Sequence, residues 1–187
     1  MAEGEISIRL MSMAEAPLAA AILESSVRAL WRGHLSEAVI EGVVRANTAA
    51  EIVKRGERQE DYLAWLDGRA AGYLGLKRNE IGILFIAADA VGKGVGRALS
   101  EFADRCLRRR GHKTAVVYAS PTALGFYEKQ GFRRTGQNVS FEVGPGAFIP
   151  AVFMEKDLWP QAGAAPPGPA AADSAQSLAP PRPVPAY

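Results

Sequence analysis

The hydrophobic pattern of the chain changes its period between Ile81 and Leu107. The run Ile81–Ile86 is almost continuously apolar, as in a strand that is buried on both faces. The apolar residues after it recur every three or four positions, which is typical of one face of a helix; they are Val95, Leu99, Phe102, Cys106 and Leu107. A second apolar run follows at Ala115–Ala119. This strand–helix–strand order predicts a right-handed crossover between two parallel strands.

Strands and helices predicted from the same periodicities fill the rest of residues 1–159. The Asp67-Gly68 dipeptide favours a tight hairpin, because such a turn needs positive φ at both central positions. The whole order predicts an α/β domain with a mixed, twisted sheet of about seven strands and helices on both faces. The remaining predicted strands lie at 6–10, 61–66, 70–76, 132–143 and 148–157, and the remaining predicted helices at 14–30, from 36, at 48–56 and at 122–130.

The composition changes sharply after Trp159. Residues 160–187 consist almost entirely of Ala, Pro, Gly and Ser, with one acid, Asp173, and one base, Arg182. A segment with so little large apolar surface cannot offset its own ordering entropy. We therefore expect one domain at residues 1–159, followed by a disordered Pro/Ala-rich tail at 160–187. The PPRPVP stretch in the tail is an alternative ligand for an aromatic groove, although a solubilising role is favoured.

The charge balance and the cysteine content argue against several classes of protein. A net charge of +2, from 22 Lys+Arg and 20 Asp+Glu, is too even for a protein that binds mainly nucleic-acid phosphates. Cys106 is the single cysteine, so neither an intramolecular disulfide nor a cysteine-based zinc cluster is expected. No apolar run approaches the roughly 20 residues that cross a bilayer, and the first residues do not resemble an export signal. We expect a cytoplasmic protein without a metal, a nucleic acid or a membrane as partner.

A glycine-rich loop joins the apolar strand to the helix after it. Gly92, Gly94 and Gly96 allow a ligand to lie directly against the backbone. The free N–H groups at the start of the helix favour an anion there, such as a phosphate, and Lys93 and Arg97 add positive charge. Two common phosphate motifs do not fit, because the Lys-Ser/Thr pair of a P-loop and the downstream acid of a dinucleotide fold are both missing.

A second segment, Ser120–Phe132, begins a helix directly after the strand at 115–119. It contains the pattern A-x-x-F-Y-x-x-x-G-F at Ala123, Phe126, Tyr127, Gly131 and Phe132. Together with the strand, loop and helix of Leu84–Leu99, this segment resembles the GNAT superfamily of N-acetyltransferases. The order of predicted elements from Glu5 to Asp157 agrees with that family as well. The resemblance therefore covers the whole domain but not the tail.

The resemblance implies direct transfer of an acetyl group from acetyl-CoA to an amine, without a covalent enzyme intermediate. Tyr127 matches the family's tyrosine that protonates the departing thiolate, and a phenol with a pKa of about 10 carries that proton at neutral pH. A strand N–H near Ile86 is suited to stabilising the oxyanion. The acetyl-CoA contacts that the resemblance implies are Phe85, Ile86, Ala87, Val91, Gly92, Lys93, Gly94, Val95, Gly96, Arg97 and Ser120.

The sequence departs from the family pattern at two positions. Val91 stands where the family usually has Gln or Arg, which removes one side-chain contact at the loop but none of the backbone contacts. Ser120 stands where many members have Asn, and it is either a cofactor contact or the N-cap of the next helix. The general base is not identified: Glu80 and Asp89 are the nearby acids, and each is interpreted as a solvated turn residue.

The acceptor is not specified by any motif. The resemblance places acceptor recognition at about Glu24–Gly56 and Glu142–Ala151, with Trp31 as a candidate for the edge of the acceptor cleft. Small-molecule and protein amines both stay open, and a homodimer paired through the final strands is compatible with the family. The alternative function is a catalytically weak acetyl-CoA-binding regulatory or scaffold protein, which the presence of Tyr127 disfavours.

Overall fold

The structure is a computed structural model that describes residues 4–159. Its strands are β1 (Ile6–Leu10), β2 (Glu60–Leu66), β3 (Arg69–Lys77), β4 (Glu80–Ile86), β5 (Thr114–Ala119), β6 (Arg133–Gly144) and β7 (Ala147–Asp157). Its α-helices are α1 (Ala16–Leu30), α2 (Glu37–Arg45), α3 (Ala49–Arg55), α4 (Val95–Arg109) and α5 (Leu124–Lys129). The strands form one mixed sheet in the order β1-β2-β3-β4-β5-β7-β6. The predicted fold class and the predicted number of strands are therefore confirmed.

Local chemistry explains where the helices begin. The Thr48 hydroxyl accepts a hydrogen bond from the Glu51 N–H at 3.4 Å and so caps α3, as the sequence predicts. The first helix begins two residues later than predicted, because Met13–Glu15 form a 3₁₀ turn before it. Pro17 lies in the first turn of α1, where its missing N–H removes no helical hydrogen bond.

Strands β2, β3 and β4 form an antiparallel meander, and its first turn is the hairpin predicted at Asp67-Gly68. Asp67 and Gly68 turn the chain between β2 and β3 with φ angles of 50° and 77°. These left-handed values are those that a tight hairpin needs and that Asp-Gly tolerates.

The pairing of β3 with β4 contains a β-bulge. Gly75 pairs with Ile83 and Leu76 pairs with Ile81, so Gly82 is an extra residue on β4 without a partner on β3. A bulge shifts the alternation of side chains along a strand. The alternation of side chains between the two faces of β4 is consequently shifted at Gly82.

The sheet opens between β4 and β5. These strands are parallel, as the crossover predicts, but they pair at a single point, Glu80 with Val116. At that closed end the Val116 N–H also donates to the Asn79 carbonyl at 3.0 Å. Beyond it the strands separate, and the β5-facing backbone of β4 has no strand partner as far as Ile86. We call this opening the β4–β5 seam.

Helices cover both faces of the sheet. On one face, α4 packs so closely on β3 that a Cβ on Gly72 would lie 2.8 Å from the Leu99 side chain and 2.9 Å from that of Val95. On the other face, the end of α1 brings the Trp31 ring to 6.0 Å from the Phe85 ring of β4. The helix α4 therefore covers one face of the sheet beside the seam, and the end of α1 covers the other face.

The predicted tail, residues 160–187, lies outside the described residues, and the boundary after Trp159 stays a prediction. Within residues 4–159, no helix has the length and apolar character needed to cross a membrane.

Candidate functional site

The glycine loop forms the N-terminal end of α4. Gly92 and Gly94 have φ angles of 81° and 83°, a conformation that glycine adopts without steric cost. Gly94 is the N-cap, and α4 begins at Val95. A Cβ on Gly92 would meet nothing within 4 Å. Gly94 and Gly96, at the start of the helix, border the large cleft of the protein, and the first N–H groups of a helix have no acceptor within the helix and lie at the positive end of its dipole.

Most of the implied cofactor contacts line one continuous cleft that follows the seam. The loop forms one end of this cleft, and the side chains of β4 and β5 form its floor. The implied contacts that line it are Phe85, Ile86, Val91, Gly92, Gly94, Gly96, Arg97 and Ser120. The structure thus brings together residues that are up to 35 positions apart in the sequence.

The side chains of three of the implied contacts do not line this cleft, and the backbone contacts that the resemblance implies for them stay a prediction. Ala87 is buried, and its N–H already donates to the Ala71 carbonyl at 2.9 Å. Val95 is 1% exposed and packs into the core beneath α4. Lys93 lies in a separate shallow depression together with Asp89. The reason in each case is the turn after β4, which directs these side chains into the core or away from the seam.

The two sequence motifs meet at Gly96. A Cβ on Gly96 would stand 3.2 Å from the Phe126 ring of α5 and 3.6 Å from the Ile86 side chain of β4. Any larger residue would push α5 away from the end of β4. The absence of a side chain here lets the glycine loop lie against the helix that carries Tyr127.

Tyr127 is 5% exposed and still borders the cleft. Its ring packs edge-on against Phe126, with 5.1 Å between ring centroids, and against Phe132, at 5.4 Å. Burial alone raises the pKa of the phenol above its usual value of about 10. The hydroxyl therefore keeps its proton throughout the physiological pH range and can act as a donor.

Ser120 has the backbone position of an N-cap but does not cap with its side chain. It precedes the 3₁₀ turn Pro121–Ala123 in an extended conformation, without a side-chain capping bond. Its hydroxyl lies 3.1 Å from the Thr122 hydroxyl instead. Of the two sequence interpretations, the capping hydrogen bond is wrong, whereas the cofactor contact stays a prediction.

The two acids near β4 differ in their environments. Asp89 is exposed and lies 3.8 Å from Arg69, as expected of a turn residue. Glu80 is half-buried on the border of the cleft, which corrects its interpretation as a solvated turn residue. Burial raises the pKa of its carboxyl group, although the nearby charge of Lys77 opposes the increase.

Sequence reasoning missed two residues beside Glu80. Gln59, in the connection between α3 and β2, and Gly82, in the bulge, both line the same end of the cleft. The only signal for Gly82 is a glycine inside an apolar strand, which often marks a bulge. No local pattern identifies Gln59, because its position depends on contacts with strands that follow it in the chain.

Aromatic rings line the face of the cleft opposite α4. Trp31 of α1 meets Phe85 of β4, and Tyr118 of β5 packs on Phe141 and Phe153 at centroid distances of 5.3 and 5.2 Å. Trp31 therefore lies at the cleft, as the sequence suggested. The last hairpin contributes Ile149 as well, so both regions expected to bind the acceptor reach this cleft.

Cys106 and two arginines near the end of α4 have structural partners or lie apart from the cleft. Cys106 is buried on α4. Arg108 Nε donates to the Leu158 carbonyl at 2.6 Å, and Arg110 pairs with Glu60. The described part of the chain, residues 4–159, contains no group of three or more His, Cys, Asp or Glu side chains placed to hold a metal ion.

A comparison with protein families finds one matching domain. The family model described as the acetyltransferase (GNAT) domain matches residues 31–158. The match includes both the glycine loop and Tyr127.

Comparison with solved structures finds the same architecture. A GCN5-related N-acetyltransferase from Rhodopseudomonas palustris is 26% identical, with 84% of this chain and 98% of that chain covered at a TM-score of 0.78. The apo form of YjaB from Escherichia coli is 25% identical, with coverages of 81% and 97% and a TM-score of 0.63. PaiA N-acetyltransferase from Thermoplasma acidophilum, in complex with coenzyme A, is 22% identical, with coverages of 82% and 99% and a TM-score of 0.66. At 22% identity, the similarity to PaiA supports a shared fold and no more.

Proposed function

The chain belongs to the acetyltransferase (GNAT) family, and from that premise we propose that it transfers an acetyl group from acetyl-CoA to an amine. The observation that carries the proposal is the continuity of the β4–β5 cleft. It joins an anion-binding helix start to a buried, protonated tyrosine across the contact of Gly96 with Phe126. A phosphate-bearing thioester bound along this cleft would pass the proton donor Tyr127.

The described residues fit acetyl-CoA in two ways. The N–H groups at the start of α4, with Gly92 and Gly94 at positive φ, suit a pyrophosphate. The backbone of β4 from Ile81 to Ile86 has no partner strand on its β5 side, and unpaired strand backbone suits the amides of a pantetheine arm. The solved PaiA structure, which contains coenzyme A, has the same fold.

Tyr127 supplies the proton in the proposed reaction. The nitrogen of the neutral amine forms a bond to the acetyl carbonyl carbon and loses one proton to solvent, while the carbon–sulfur bond breaks and the electron pair leaves on sulfur. The sulfur takes its proton from the Tyr127 hydroxyl, which solvent then reprotonates. N–H groups of β4 near Ile86 would stabilise the negative oxygen that forms on the carbonyl. Because burial keeps Tyr127 protonated, the proton is available at every physiological pH.

Release of free thiol from acetyl-CoA, measured across a panel of amines, tests the proposal. We expect at least one amine to raise the rate clearly above that of acetyl-CoA hydrolysis. If CoA binds but no small amine or peptide amine raises the rate, the transfer reaction is wrong. The protein would then be an acetyl-CoA-binding protein without this activity.

A further inference from the structure

The side chains that line the cleft carry more positive than negative charge. Six of the lining residues are Lys or Arg, and two, Glu57 and Glu80, are acids. One of the cations, Arg97, lies in the first turn of α4. The other five, which we call the cationic group, come from α3, its connection to β2 and the turn between β3 and β4. They are Lys54, Arg55, Arg58, Lys77 and Arg78.

Part of the cationic group lies at the other end of β4 from the glycine loop. Lys77 and Arg78 come before the first residue of β4, whereas the loop follows its last residue, Ile86. A strand of seven residues is roughly 20 Å long, at about 3.3 Å per residue. A pyrophosphate on the glycine loop would therefore leave this charge unused.

Neighbouring carboxylates do not neutralise the cationic group. Within residues 4–159, Lys54 alone among the five has a carboxylate oxygen within 4.0 Å of its charged nitrogen, that of Glu51 at 3.9 Å. The charge of Lys77 acts on Glu80 from a longer distance. A cleft with an excess of one sign of charge attracts ligands of the opposite sign and repels those of the same sign.

Lys77 lies on the same face of the sheet as the aromatic rings of the cleft. Tyr73 and Lys77 are four positions apart on β3, so strand alternation directs both side chains to one face. Tyr73 pairs with Phe85 of β4, whose ring lies 6.0 Å from the ring of Trp31. This is the face that the end of α1 covers.

The connection between α3 and β2 reaches the same face. Gly75, two positions before Lys77, points to it as well, and a Cβ on Gly75 would stand 2.8 Å from Gln59 Nε2. Arg58 directly precedes Gln59, and its N–H donates to the Arg55 carbonyl at 2.9 Å. The fold thus gathers Arg55, Arg58 and Lys77 on one side of the sheet.

Arg55 is held in place without an ion pair. It is half-buried, and its Nη2 donates to Asn47 Oδ1 at 2.8 Å. Asn47 is itself fixed, because its Nδ2 donates to the Val43 carbonyl at 2.8 Å. On its other side the guanidinium interacts with the Tyr73 hydroxyl, and its charge opposes the increase that burial causes in the pKa of Asp61. The guanidinium is therefore oriented before a ligand arrives.

We propose that Arg55, Arg58 and Lys77 bind an anionic group of the acceptor, so that the acceptor is an amine that also carries a carboxylate or a phosphate group. We call this place the Arg55 subsite. The inference rests on the proposed amine acetyltransferase function and names the class of its substrate. The anionic oxygens accept charge-assisted hydrogen bonds from the guanidinium, whose planar N–H groups match a carboxylate or a phosphate. A second ammonium group at the same place is repelled, which disfavours polyamines.

Binding of matched probes to the CoA-saturated protein tests the subsite directly, because bound CoA occupies the glycine loop. The probes are ω-amino acids with three to six carbons, the amides of these acids and the diamines of the same length, measured by calorimetry at neutral pH. We expect the acid of at least one length to bind at least about tenfold more tightly than its amide, and the diamine to bind no better than the amide. ω-Aminoalkyl phosphates of the same lengths show whether phosphate or carboxylate is preferred.

Variants at basic residues separate the subsite from the overall charge of the protein. Arg55→Met removes the guanidinium, and we expect it to lose the preference for the acid while its CoA affinity stays unchanged. Arg105→Met is the matched control, because Arg105 is an exposed arginine of α4 outside the cleft, and we expect it to keep the preference.

A double variant, Arg58→Met with Lys77→Met, tests the charge without a change in the packing of Arg55. Both side chains are exposed and make no hydrogen bond within residues 4–159. We therefore expect an unchanged melting temperature and a weaker preference for the acid. This variant decides the question if Arg55→Met does not fold.

The proposal is overturned if no amino acid and no aminoalkyl phosphate binds, if the amide or the diamine binds as tightly as the acid at every length, or if the folded basic-residue variants of the cleft keep the preference. Turnover measured with the same probes distinguishes this failure from that of the proposed function. Acetyl transfer to amines regardless of an anionic group refutes the subsite alone. Arg55-dependent binding of the anionic probes without acetyl transfer to any amine supports the subsite and refutes the transfer reaction.

Discussion

At the scale of single residues, burial changes the acid–base chemistry of two side chains that border the cleft. Tyr127 and Glu80 are both titratable groups whose pKa values are raised by burial. For the phenol, a higher pKa secures the protonated form, which suits a proton donor. For the carboxyl group, it makes the ionised form a stronger base, which suits a proton acceptor. The same physical cause therefore prepares opposite roles at the two residues.

Replacement of Tyr127 by Phe tests the proton donor. The ring contacts with Phe126 and Phe132 are retained, so we expect normal acetyl-CoA affinity and a kcat lower by about 10²-fold or more, the usual contribution of a general acid. Tyr62→Phe is the matched control, because Tyr62 is a buried tyrosine of β2 outside the cleft. A Tyr127→Phe enzyme with normal kcat would contradict the assignment.

Asp61 gives a prediction for stability as a function of pH. Burial raises the pKa of Asp61 in the folded protein, against the hydrogen bonds from Tyr73 and Gln59. The folded state then holds the proton more tightly than the unfolded state. The stabilisation from Asp61 is present below its unfolded pKa and is lost as the pH rises through its folded pKa. We expect the free energy of unfolding of the wild type, relative to Asp61→Asn, to fall over that range in urea titrations.

Glu15 provides the control with the opposite sign. The guanidinium of Arg9, followed by hydrogen bonds from Ser12, lowers the pKa of Glu15 to about 2. Its stabilisation is present above the ordinary carboxyl pKa and is lost as the pH falls toward about 2. The wild type relative to Glu15→Gln should therefore lose stability toward acid pH. Slopes of the same sign for both variants would refute the assignment for Asp61.

At the scale of elements, we expect the start of α4 to determine the affinity for CoA. Gly94→Asp places a negative charge where the helix N–H groups converge, and we expect it to abolish CoA binding. Gly94→Asn has nearly the same volume, and both residues tolerate the left-handed backbone at this position. We expect Gly94→Asn to bind CoA more weakly than wild type but measurably in calorimetry. Equal affinities of the two variants would show that the site does not hold an anion.

The elements and the cofactor end of the cleft could be predicted from the sequence because their signals are local. The glycines of 92–96 stand between an apolar strand and an amphipathic helix, and Tyr127 lies in a motif of its own. The side chains of Ala87 and Val95 turn into the core, a direction that their adjacency to the loop in the sequence does not show.

The end of the cleft beside Glu80 could not be predicted because it depends on strand register and on contacts between residues far apart in the sequence. Glu80 borders the cleft next to the bulge at Gly82, and a shift of one residue in strand pairing exchanges the two faces of a sheet. Gln59 acquires its orientation from Asp61 and Tyr73, which lie on two different strands. None of these relations leaves a periodic pattern in the sequence.

At the scale of the whole molecule, the seam divides the sheet into a half made of β1–β4 and a half made of β5, β7 and β6. A ligand that fills the seam should stabilise the fold. At a free concentration of 100 times Kd, CoA adds about 2.7 kcal/mol to the free energy of unfolding. For a chain of this size, that corresponds to a rise of roughly 5–10 °C in Tm by differential scanning fluorimetry.

ATP is the matched control for this measurement, because it offers phosphates to the loop but has no pantetheine arm for the seam. We expect it to cause little or no rise in Tm. A rise as large as that with CoA would mean that the loop alone accounts for the stabilisation.

Removal of residues 160–187 tests the predicted domain boundary. Trp159 stays in the shortened chain, so its indole N–H can still donate to the His112 carbonyl at 3.1 Å. We expect Tm and CoA affinity to remain as in the full chain. A large loss of either would show that the tail contributes to the domain and that the boundary is wrong.

Binding of acetyl-CoA along the seam would have a consequence for how the supply of acetyl-CoA and CoA controls the rate. The part of acetyl-CoA that would pair with β4 and sit on the glycine loop is the part that free CoA also carries. Backbone pairing therefore contributes equally to substrate and product, and the released CoA competes for the same place. We expect the rate to follow the ratio of acetyl-CoA to CoA rather than the concentration of acetyl-CoA alone. The activity would then depend on the fraction of the CoA pool that is acetylated.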